Sequence, residues 1–196
     1  MSFIKINLEN EMSEITIDRP EALNAMNQEV VAEFSSVIQA ALSDKETGII
    51  IITGAGDKAF IAGADIKAMQ KMTAEEALIY GNAGQKLTML IEYSPKHVIA
   101  AVNGFALAGG WSIAQMCDLR IASDEAKLGI SETRWSLLPP FGAILPKQMN
   151  LASVLELVLT AQPVTAQRAY DMGFLHKVVP AGYLREEARP QGPPGA

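Results

Sequence analysis

The chain has 196 residues, of which 49% are hydrophobic and 19% are charged, a composition typical of one globular domain with its own core. Its net charge of −6 argues against nucleic acid or an anionic membrane surface as the main partner, and no apolar run approaches the length of a membrane span. A single cysteine excludes an internal disulfide and is typical of a reducing, cytoplasmic setting. Because the chain has only one cysteine and two histidines, we also expect no metal site.

The first part of the chain contains two predicted strands, a helix and a third strand. Apolar residues alternate in SFIKINLEN and in MSEITIDRP, which predicts two short strands joined by a turn. Apolar residues at helical spacing predict a helix over NQEVVAEFSSVIQAALSD. The run GIIIITGAG predicts a strand that is buried on both faces, as in a parallel sheet.

The middle of the chain continues this alternation of strands and helices. After a Gly/Ala loop closed by Asp65, the segment TAEEALIYGNAGQKLTMLIEYS predicts a helix that begins with a capping box of Thr73 and Glu76. The segment KHVIAAVNG predicts a second buried strand, and a short helix and a further strand follow it. Such alternation is typical of an α/β domain with parallel strand pairing.

The last part of the chain changes composition. Two helices and a short strand are predicted in MNLASVLELVLT and TAQRAYDMGFLHKVVP, whereas ARPQGPPGA cannot continue a helix. We therefore expect a folded core over residues 1–185 and a disordered tail over residues 186–196.

Two glycine-rich loops follow buried strands, FIAGADI after IIIIT and NGFALAGG after IAAV. Ligands of parallel sheets gather beyond the carboxyl ends of the strands, and a helix beginning near Gly109 would add its positive end. Small residues let backbone N–H groups converge there on an oxygen that becomes negative during a reaction. The alternative is that the glycines only permit tight turns from strand to helix.

Four segments, in their order and spacing, resemble the crotonase family, which is the enoyl-CoA hydratase/isomerase superfamily: AGADI, AAVNGFALAGG, CDLRIAS and VTAQRAYDMGFLHKVVP. The segment DRPEALNAMN also resembles the early substrate-side loop of that family. The resemblance implies a spiral of ββα units that binds an acyl-CoA substrate without a separate cofactor or metal. It also implies a homo-oligomer, as a trimer or a pair of trimers.

The resemblance also implies particular site residues. The N–H groups of Ala64 and Gly109 would form an oxyanion hole for the thioester carbonyl, and residues 64–67 would lie along the CoA. The residues expected to contact the CoA thioester are Ala62, Ala64, Asp65, Ile66, Lys67 and Gly109.

The catalytic carboxylates differ from the pattern of the family's hydratases, which usually have two glutamates. This sequence has Ser112 at the first position and Glu132 at the second. Water addition needs a base and an acid, and two carboxylates share that task well, whereas a serine without a partner base has no useful basicity. Moving a double bond needs one group that takes a proton and returns it.

We therefore expect single-carboxylate chemistry, either double-bond isomerisation or an altered hydration. The expected catalytic residues are Glu132, Ala64, Gly109 and Ser112. For Glu132 the alternative is a solvated surface carboxylate. For Ser112 the favoured alternative is a residue near the start of a helix whose hydroxyl is satisfied by the local backbone.

Three further features depart from the family's pattern. Ala108 stands where the family often has glycine, and LPPFGAILPK replaces a glycine-rich stretch after the second carboxylate. Family members also continue into closing C-terminal helices that are absent here. We therefore expect that this is a shortened version of a longer enzyme, which lacks part of the CoA pocket and assembles more weakly into oligomers.

Two other functions remain open from the sequence. Gly54, Gly56 and Ala59 follow a strand at the spacing of a dinucleotide-binding fingerprint, although no helix is predicted directly after them. A non-catalytic acyl-CoA binder, or an inactive truncated homologue, is the other alternative.

The remaining chemically interesting side chains are interpreted as structural. His97 and His176 have no paired carboxylate or cysteine in sequence, and Cys117 lies in an apolar context. Trp111 and Trp135 either line an acyl pocket or pack in the core.

Overall fold

The structure is a computed structural model that describes residues 2–189. The strands are β1 Ile4–Glu9, β2 Met12–Ile17, β3 Ile49–Gly54, β4 Ala59–Ile61, β5 His97–Val102, β6 Phe105–Leu107, β7 Leu119–Ser123, β8 Lys127–Gly129, β9 Val164–Thr165 and β10 Lys177–Val179. The α-helices are α1 Gln28–Ser43, α2 Ile66–Met69, α3 Ala74–Glu92, α4 Gly109–Met116, α5 Leu145–Gln148, α6 Leu151–Thr160, α7 Ala166–Asp171 and α8 Leu184–Glu187. Short 3₁₀ turns cover Pro20–Ala22, Glu132–Trp135, Gly142–Ile144 and Ala181–Tyr183.

The strands form two sheets. The larger sheet has the order β1-β2-β3-β5-β7-β10, and the smaller one has the order β4-β6-β8-β9. The strands β3, β5 and β7 are parallel neighbours in the larger sheet, and β4, β6 and β8 are parallel neighbours in the smaller one. Each of β3, β5 and β7 is therefore followed by a short strand of the second sheet and then by a helical segment, which confirms the predicted spiral of ββα units.

The two long helices follow the predicted patterns. The apolar face of α1 is buried, and the side chain of Asn27 caps its first turn by accepting from the Val30 N–H at 2.9 Å. The capping box of α3 is confirmed, because Thr73 Oγ1 accepts from the Glu76 N–H at 3.2 Å and Glu76 Oε2 accepts from the Thr73 N–H at 2.8 Å.

The strand β3 is buried on both faces, as predicted. Ile50 and Ile52 belong to the main core, whereas Ile51 packs on the opposite face of the sheet in a smaller apolar cluster. That cluster includes Leu184 and Ala188, so α8 covers the second face of the sheet.

The folded part extends beyond the predicted boundary after Arg185. The composition predicts that the tail begins at residue 186, whereas α8 continues through Glu187 and Ala188 is buried. Arg189 also forms an ion pair with Glu9 on β1 at 2.8 Å. The sequence did not predict this contact, because the residues of α8 directly precede the Pro/Gly-rich segment and the predicted tail includes part of that helix. Residues 190–196 lie outside the described part of the chain.

Two of the three glycines around α4 permit close packing of one backbone segment on another. A Cβ atom on Gly110 would lie 1.9 Å from the carbonyl oxygen of Ile61, and one on Gly104 would lie 2.3 Å from that of Lys58. The second ββα unit therefore packs directly on the first, and α4 begins beside the end of β4.

The segment with dinucleotide-like spacing lies in a different context from a nucleotide-binding turn. The strand β3 ends at Gly54, and the chain then enters β4 at Ala59 rather than a helix. A phosphate group would therefore find no helix N-terminus at this turn. Among residues 2–189, no helix is long and apolar enough to cross a membrane. The same residues contain no cluster of three or more His, Cys, Asp or Glu side chains that could hold a metal ion.

Candidate active site

A cavity of about 770 Å³ lies where the two glycine-rich loops meet. Its walls come from the loop between β4 and α2, one face of α3, the start of α4 and the 3₁₀ turn Glu132–Trp135. Its lining is mainly apolar and includes the buried side chains Met26, Val31, Leu87 and Ile113. A cavity of this size and composition suits an elongated ligand with an apolar portion.

The backbones of Ala64 and Gly109 lie side by side at this cavity. A Cβ atom placed on Gly109 would lie 4.0 Å from the Ala64 nitrogen and 3.0 Å from Met26 Cε. Among the backbone hydrogen bonds of residues 2–189, none uses the N–H of Ala64 or of Gly109 as donor. Gly109 is the first residue of α4, where an N–H group has no partner within the helix. Two unpaired donors from separate loops therefore border one space.

Ala108 has a strained backbone directly before this helix. Its φ of 48° and ψ of −112° fall in a region that residues with a side chain rarely adopt. The conformation is held from both sides, because the Ala108 N–H donates to Gly129 O at 3.0 Å and its carbonyl accepts from the Ser112 N–H at 3.0 Å. The strained residue sets the direction in which the following Gly109 enters α4.

Glu132 also lines the cavity and lies in the 3₁₀ turn after β8. Its side chain is buried, with 9% of the residue exposed, and Oε2 has no hydrogen-bond partner among residues 2–189. Burial raises the pKa of Glu132, although the backbone N–H groups of Glu132 and Ser131 lower it to a smaller extent. Glu132 is therefore a buried cavity residue, and the alternative of a solvated surface carboxylate is wrong.

Ser112 also lines the cavity and is buried. It follows Gly109 by three residues on α4, so its side chain lies one helical turn from the unpaired N–H of Gly109. The cavity thus contains one carboxylate and one hydroxyl at the positions where the resemblance implies a pair of carboxylates.

The residues expected along the CoA divide into two groups. Ala62, Ala64, Ile66 and Gly109 line the cavity, whereas Asp65 and Lys67 do not. The Lys67 side chain is exposed.

The carboxylate of Asp65 is instead occupied by local partners. Asp65 Oδ1 accepts from the Ala68 N–H at 3.1 Å and caps α2, and Oδ2 accepts from Arg19 Nη1 at 2.8 Å. The guanidinium of Arg19 holds the pKa of Asp65 below its usual range. The Asp65 side chain therefore holds the loop in place and does not line the cavity.

The sequence analysis missed the contribution of α3 to the cavity. A signal was present, because Ala77, Gly81 and Gly84 recur at helical spacing, and all three line the cavity. Small residues on one face of a helix leave room for a ligand beside it. The length and the capping box of α3 predict a helix but do not indicate which of its faces borders a cavity.

The three side chains interpreted as structural, Cys117, His176 and His97, lie away from the cavity. Cys117 is buried, and its burial raises the pKa of the thiol to about 12. His176 Nδ1 accepts from the Arg120 N–H at 3.2 Å, and His97 is exposed at the start of β5. None of the three lines the cavity.

The two tryptophans have different environments. Trp111 is buried and stacks on Phe174 with ring centroids 3.7 Å apart, as a core residue does. Trp135 is 59% exposed and lines the cavity. The two alternatives for the tryptophans are therefore each realised once.

Comparison with known proteins agrees with this geometry. Residues 7–192 match the model of the family described as Enoyl-CoA hydratase/isomerase. A crotonyl-CoA hydratase from Syntrophomonas wolfei is 41% identical over 193 residues, which cover 96% of this chain and 74% of the relative. A short-chain-enoyl-CoA hydratase from Clostridium acetobutylicum is 40% identical over 183 residues, which cover 92% of this chain and 70% of that relative.

Solved structures show the same fold. An enoyl-CoA hydratase from Bacillus anthracis superposes with a TM-score of 0.92 at 32% identity, covering 95% of this chain and 74% of that one. The fold is therefore that of the crotonase-type enzymes. The chain belongs to the enoyl-CoA hydratase/isomerase family.

Proposed function

We propose that this protein catalyses proton transfer on enoyl-CoA thioesters, as a hydratase or as a double-bond isomerase. One observation carries the proposal: a single cavity is lined by Ala64 and Gly109, whose N–H groups are unpaired, and by Glu132, whose buried Oε2 has no hydrogen-bond partner among residues 2–189. The names of the relatives, crotonyl-CoA hydratase and short-chain-enoyl-CoA hydratase, support a short 2-enoyl-CoA as the substrate.

In this proposal the two N–H groups donate to the thioester carbonyl oxygen, which becomes negative as an enolate forms. Fixed backbone donors need no reorganisation during the reaction, and one such donor typically lowers the barrier by about 2.7–4 kcal/mol. The N-terminus of α4 begins at Gly109, so the positive end of the helix favours the same charge.

Glu132 is the acid and base of the proposal. In hydration it takes a proton from water while the water oxygen bonds to the β-carbon, and the electron pair of the double bond moves towards the thioester oxygen. The proton is then delivered to the α-carbon. A carboxylate whose pKa is raised by burial is a stronger base, which suits it to this exchange near neutral pH.

Isomerisation is the second candidate, and Ser112 is the observation that favours it. Glu132 would take the α-proton of a 3-enoyl-CoA and return it to the γ-carbon of the resulting dienolate. This exchange needs one carboxylate, whereas water addition is better served by two. A hydroxyl at Ser112 supplies no second base.

Parallel assays on crotonyl-CoA and on a 3-enoyl-CoA test the proposal. Hydration removes the double bond that is conjugated with the thioester of crotonyl-CoA, so its absorbance is lost. Isomerisation of the 3-enoyl-CoA forms such a conjugated double bond, so its absorbance appears. Binding of both thioesters without turnover would support the non-catalytic binder and contradict the proposal.

The variant Glu132→Gln identifies the catalytic group. We expect turnover to fall at least about 100-fold, because the variant can neither take nor return a proton. The exposed Glu92→Gln at the end of α3 is the matched control and keeps wild-type turnover.

Stability separates a catalytic role of Glu132 from a structural one. Because burial raises its pKa, the folded state favours the protonated carboxyl, and this stability is lost as the pH rises through the folded-state pKa. Glutamine cannot ionise, so Glu132→Gln should be at least as stable as the wild type at neutral pH. A variant that loses turnover only because it unfolds contradicts the assignment.

A further inference from the structure

The loop that carries Ala64 is tied to the segment before α1 by main-chain hydrogen bonds. The Met26 N–H donates to Gly63 O at 2.9 Å, and Met26 O accepts from the Asp65 N–H at 2.9 Å. These two bonds lie on either side of Ala64, so they fix the peptide planes next to it while its own N–H stays unpaired. The direction of that N–H therefore depends on where the Met26 backbone lies.

The hydroxyl of Tyr80 holds the Met26 backbone from the helix side. Tyr80 lies on α3, and its OH donates to Met26 O at 2.8 Å, the same oxygen that accepts from the Asp65 N–H. Burial, together with the charge of Asp65, raises the pKa of Tyr80 to about 12, so the phenol remains a donor throughout the neutral range. One carbonyl oxygen thus joins α3 to the Ala64 loop.

The guanidinium of Arg19 also holds the same loop. Arg19 Nη1 donates to Ala25 O at 3.0 Å and to Asp65 Oδ2 at 2.8 Å. Both side chains are partly buried, with 18% of Arg19 and 15% of Asp65 exposed. One group therefore fixes the residue before Met26 and the residue after Ala64 at once.

We infer that Tyr80 and Arg19 are positioning residues that aim the Ala64 N–H at the substrate carbonyl. The inference rests on the proposed function, because it gives the two side chains a role only if Ala64 donates to a thioester oxygen. Neither residue needs to touch the reacting atoms, since both act through the backbone on either side of Ala64.

The test compares Tyr80→Phe with Tyr93→Phe. Tyr80→Phe removes one hydroxyl and keeps the ring, and Tyr93 is 71% exposed at the end of α3, which makes it a matched control. We expect Tyr80→Phe to lower kcat on the active thioester about tenfold with KM changed less than about threefold, because misplacing a donor weakens transition-state binding more than substrate binding.

Ligand discrimination provides a readout that a purely structural role would not move. Acetoacetyl-CoA can bind as an enolate, whose charged oxygen needs well-aimed donors, whereas butyryl-CoA cannot. Tyr80→Phe should weaken binding of acetoacetyl-CoA about tenfold more than binding of butyryl-CoA. A general loss of stability would weaken both ligands equally.

Arg19→Lys tests the second positioning residue. One nitrogen of Arg19, Nη1, donates to both Ala25 O and Asp65 Oδ2. Lysine keeps the charge, but its ammonium ends one bond short of the Nη1 position on a flexible stem, so we expect the same pattern of loss as in Tyr80→Phe. Arg168→Lys, in an exposed ion pair with Glu156, is the control.

The outcomes separate the inference from the function on which it rests. A wild-type protein without turnover and without preference for acetoacetyl-CoA overturns the proposed function and the inference with it. An active wild type whose Tyr80→Phe and Arg19→Lys variants keep kcat and ligand preference within about twofold overturns only the inference. Loss of kcat and of the preference in both variants, with the controls unchanged, supports it.

Discussion

The two loops that meet at the cavity are held in place by different forces. The Gly109 loop is fixed by backbone packing, since a Cβ on Gly110 would lie 1.9 Å from Ile61 O and Ala108 has a positive φ. The Ala64 loop is instead fixed by hydrogen bonds, from the main chain of Met26 and from polar side chains, through the Arg19–Asp65 ion pair and the hydroxyl of Tyr80.

Two N–H donors with the same proposed role can therefore lie in loops that differ in how well they tolerate substitution and changes of pH. Packing of one backbone on another depends on shape, so it fails abruptly on substitution and responds little to pH. Hydrogen bonds and ion pairs are lost one at a time, and those of titratable groups depend on pH. We therefore expect large, pH-independent effects from changes at the Gly109 loop and smaller, pH-dependent effects at the Ala64 loop.

Gly110→Ala should have the largest effect. The added methyl group would meet the Ile61 carbonyl of β4, which cannot move without breaking the smaller sheet. We expect a loss of at least about 3 kcal/mol in the free energy of unfolding, measured by urea titration. Gly81→Ala is the control, because nothing lies within 4 Å of its Cβ position and alanine in a helix interior stabilises by about 0.5–1 kcal/mol. Equal stability of the two variants would contradict the packing argument.

Arg120→Met should have the next largest effect and tests the far end of α4. Arg120 is buried, and it donates to Cys117 O at 2.6 Å and to Phe174 O at 2.7 Å, so it satisfies carbonyl groups beyond the C-terminus of the helix. Methionine would leave these acceptors buried and unpaired, at a cost of about 2 kcal/mol.

Thermal unfolding at several pH values measures the effect of Arg120→Met, with the exposed Arg168→Met as control. Because an exposed ion pair contributes only about 0.2–1 kcal/mol, the control should change much less. If both variants lose the same stability, the buried cation does not hold the helix.

Ala108→Gly should stabilise the protein, because glycine adopts the backbone angles of Ala108 without steric strain. Strain of this kind costs about 1–3 kcal/mol, and glycine loses about 0.5–1 kcal/mol of that through the entropy of the unfolded chain. We expect a net gain of about 1 kcal/mol, or a Tm higher by about 3 °C. Ala114→Gly in the interior of α4 is the control and should lower the Tm. A lower Tm in both variants would show that Ala108 is not strained.

The sequence predicted the long elements and most of the residues that line the cavity at the two loops, but not the smaller sheet. The strands β3 and β5 and the helix α3 extend over six or more residues, enough for a periodic pattern to register. The strands β4, β6 and β8 have three residues each, too few for any periodicity, and only the resemblance to the crotonase family indicated them.

At the site, too, the residues that belong to a local motif were predicted and the contacts between distant residues were not. Ala64, Gly109, Ser112 and Glu132 were predicted from the family's motifs, and the structure brings all four to one cavity. The contact between Tyr80 and Met26 joins residues 54 positions apart, and no local pattern encodes such a pair. A lone tyrosine on an amphipathic helix looks the same in sequence whether or not it reaches a functional loop.

Asp65→Asn should have the smallest effect on stability and tests the pH dependence of the Ala64 loop. The hydrogen bond from Arg19 lowers the pKa of Asp65, so this carboxylate stabilises the fold above its unfolded-state pKa, and the stability is lost as the pH falls through the folded-state pKa. Asparagine can still accept from the Ala68 N–H but forms no ion pair with Arg19, which is partly buried, so we expect a loss of about 1 kcal/mol at pH 7. The difference from the wild type should vanish in acid, below the folded-state pKa of Asp65. Unfolding titrations across that range check this, with Gly110→Ala as the reference whose loss of stability stays constant. A deficit of Asp65→Asn that persists in acid would mean that shape, rather than charge, holds this loop as well.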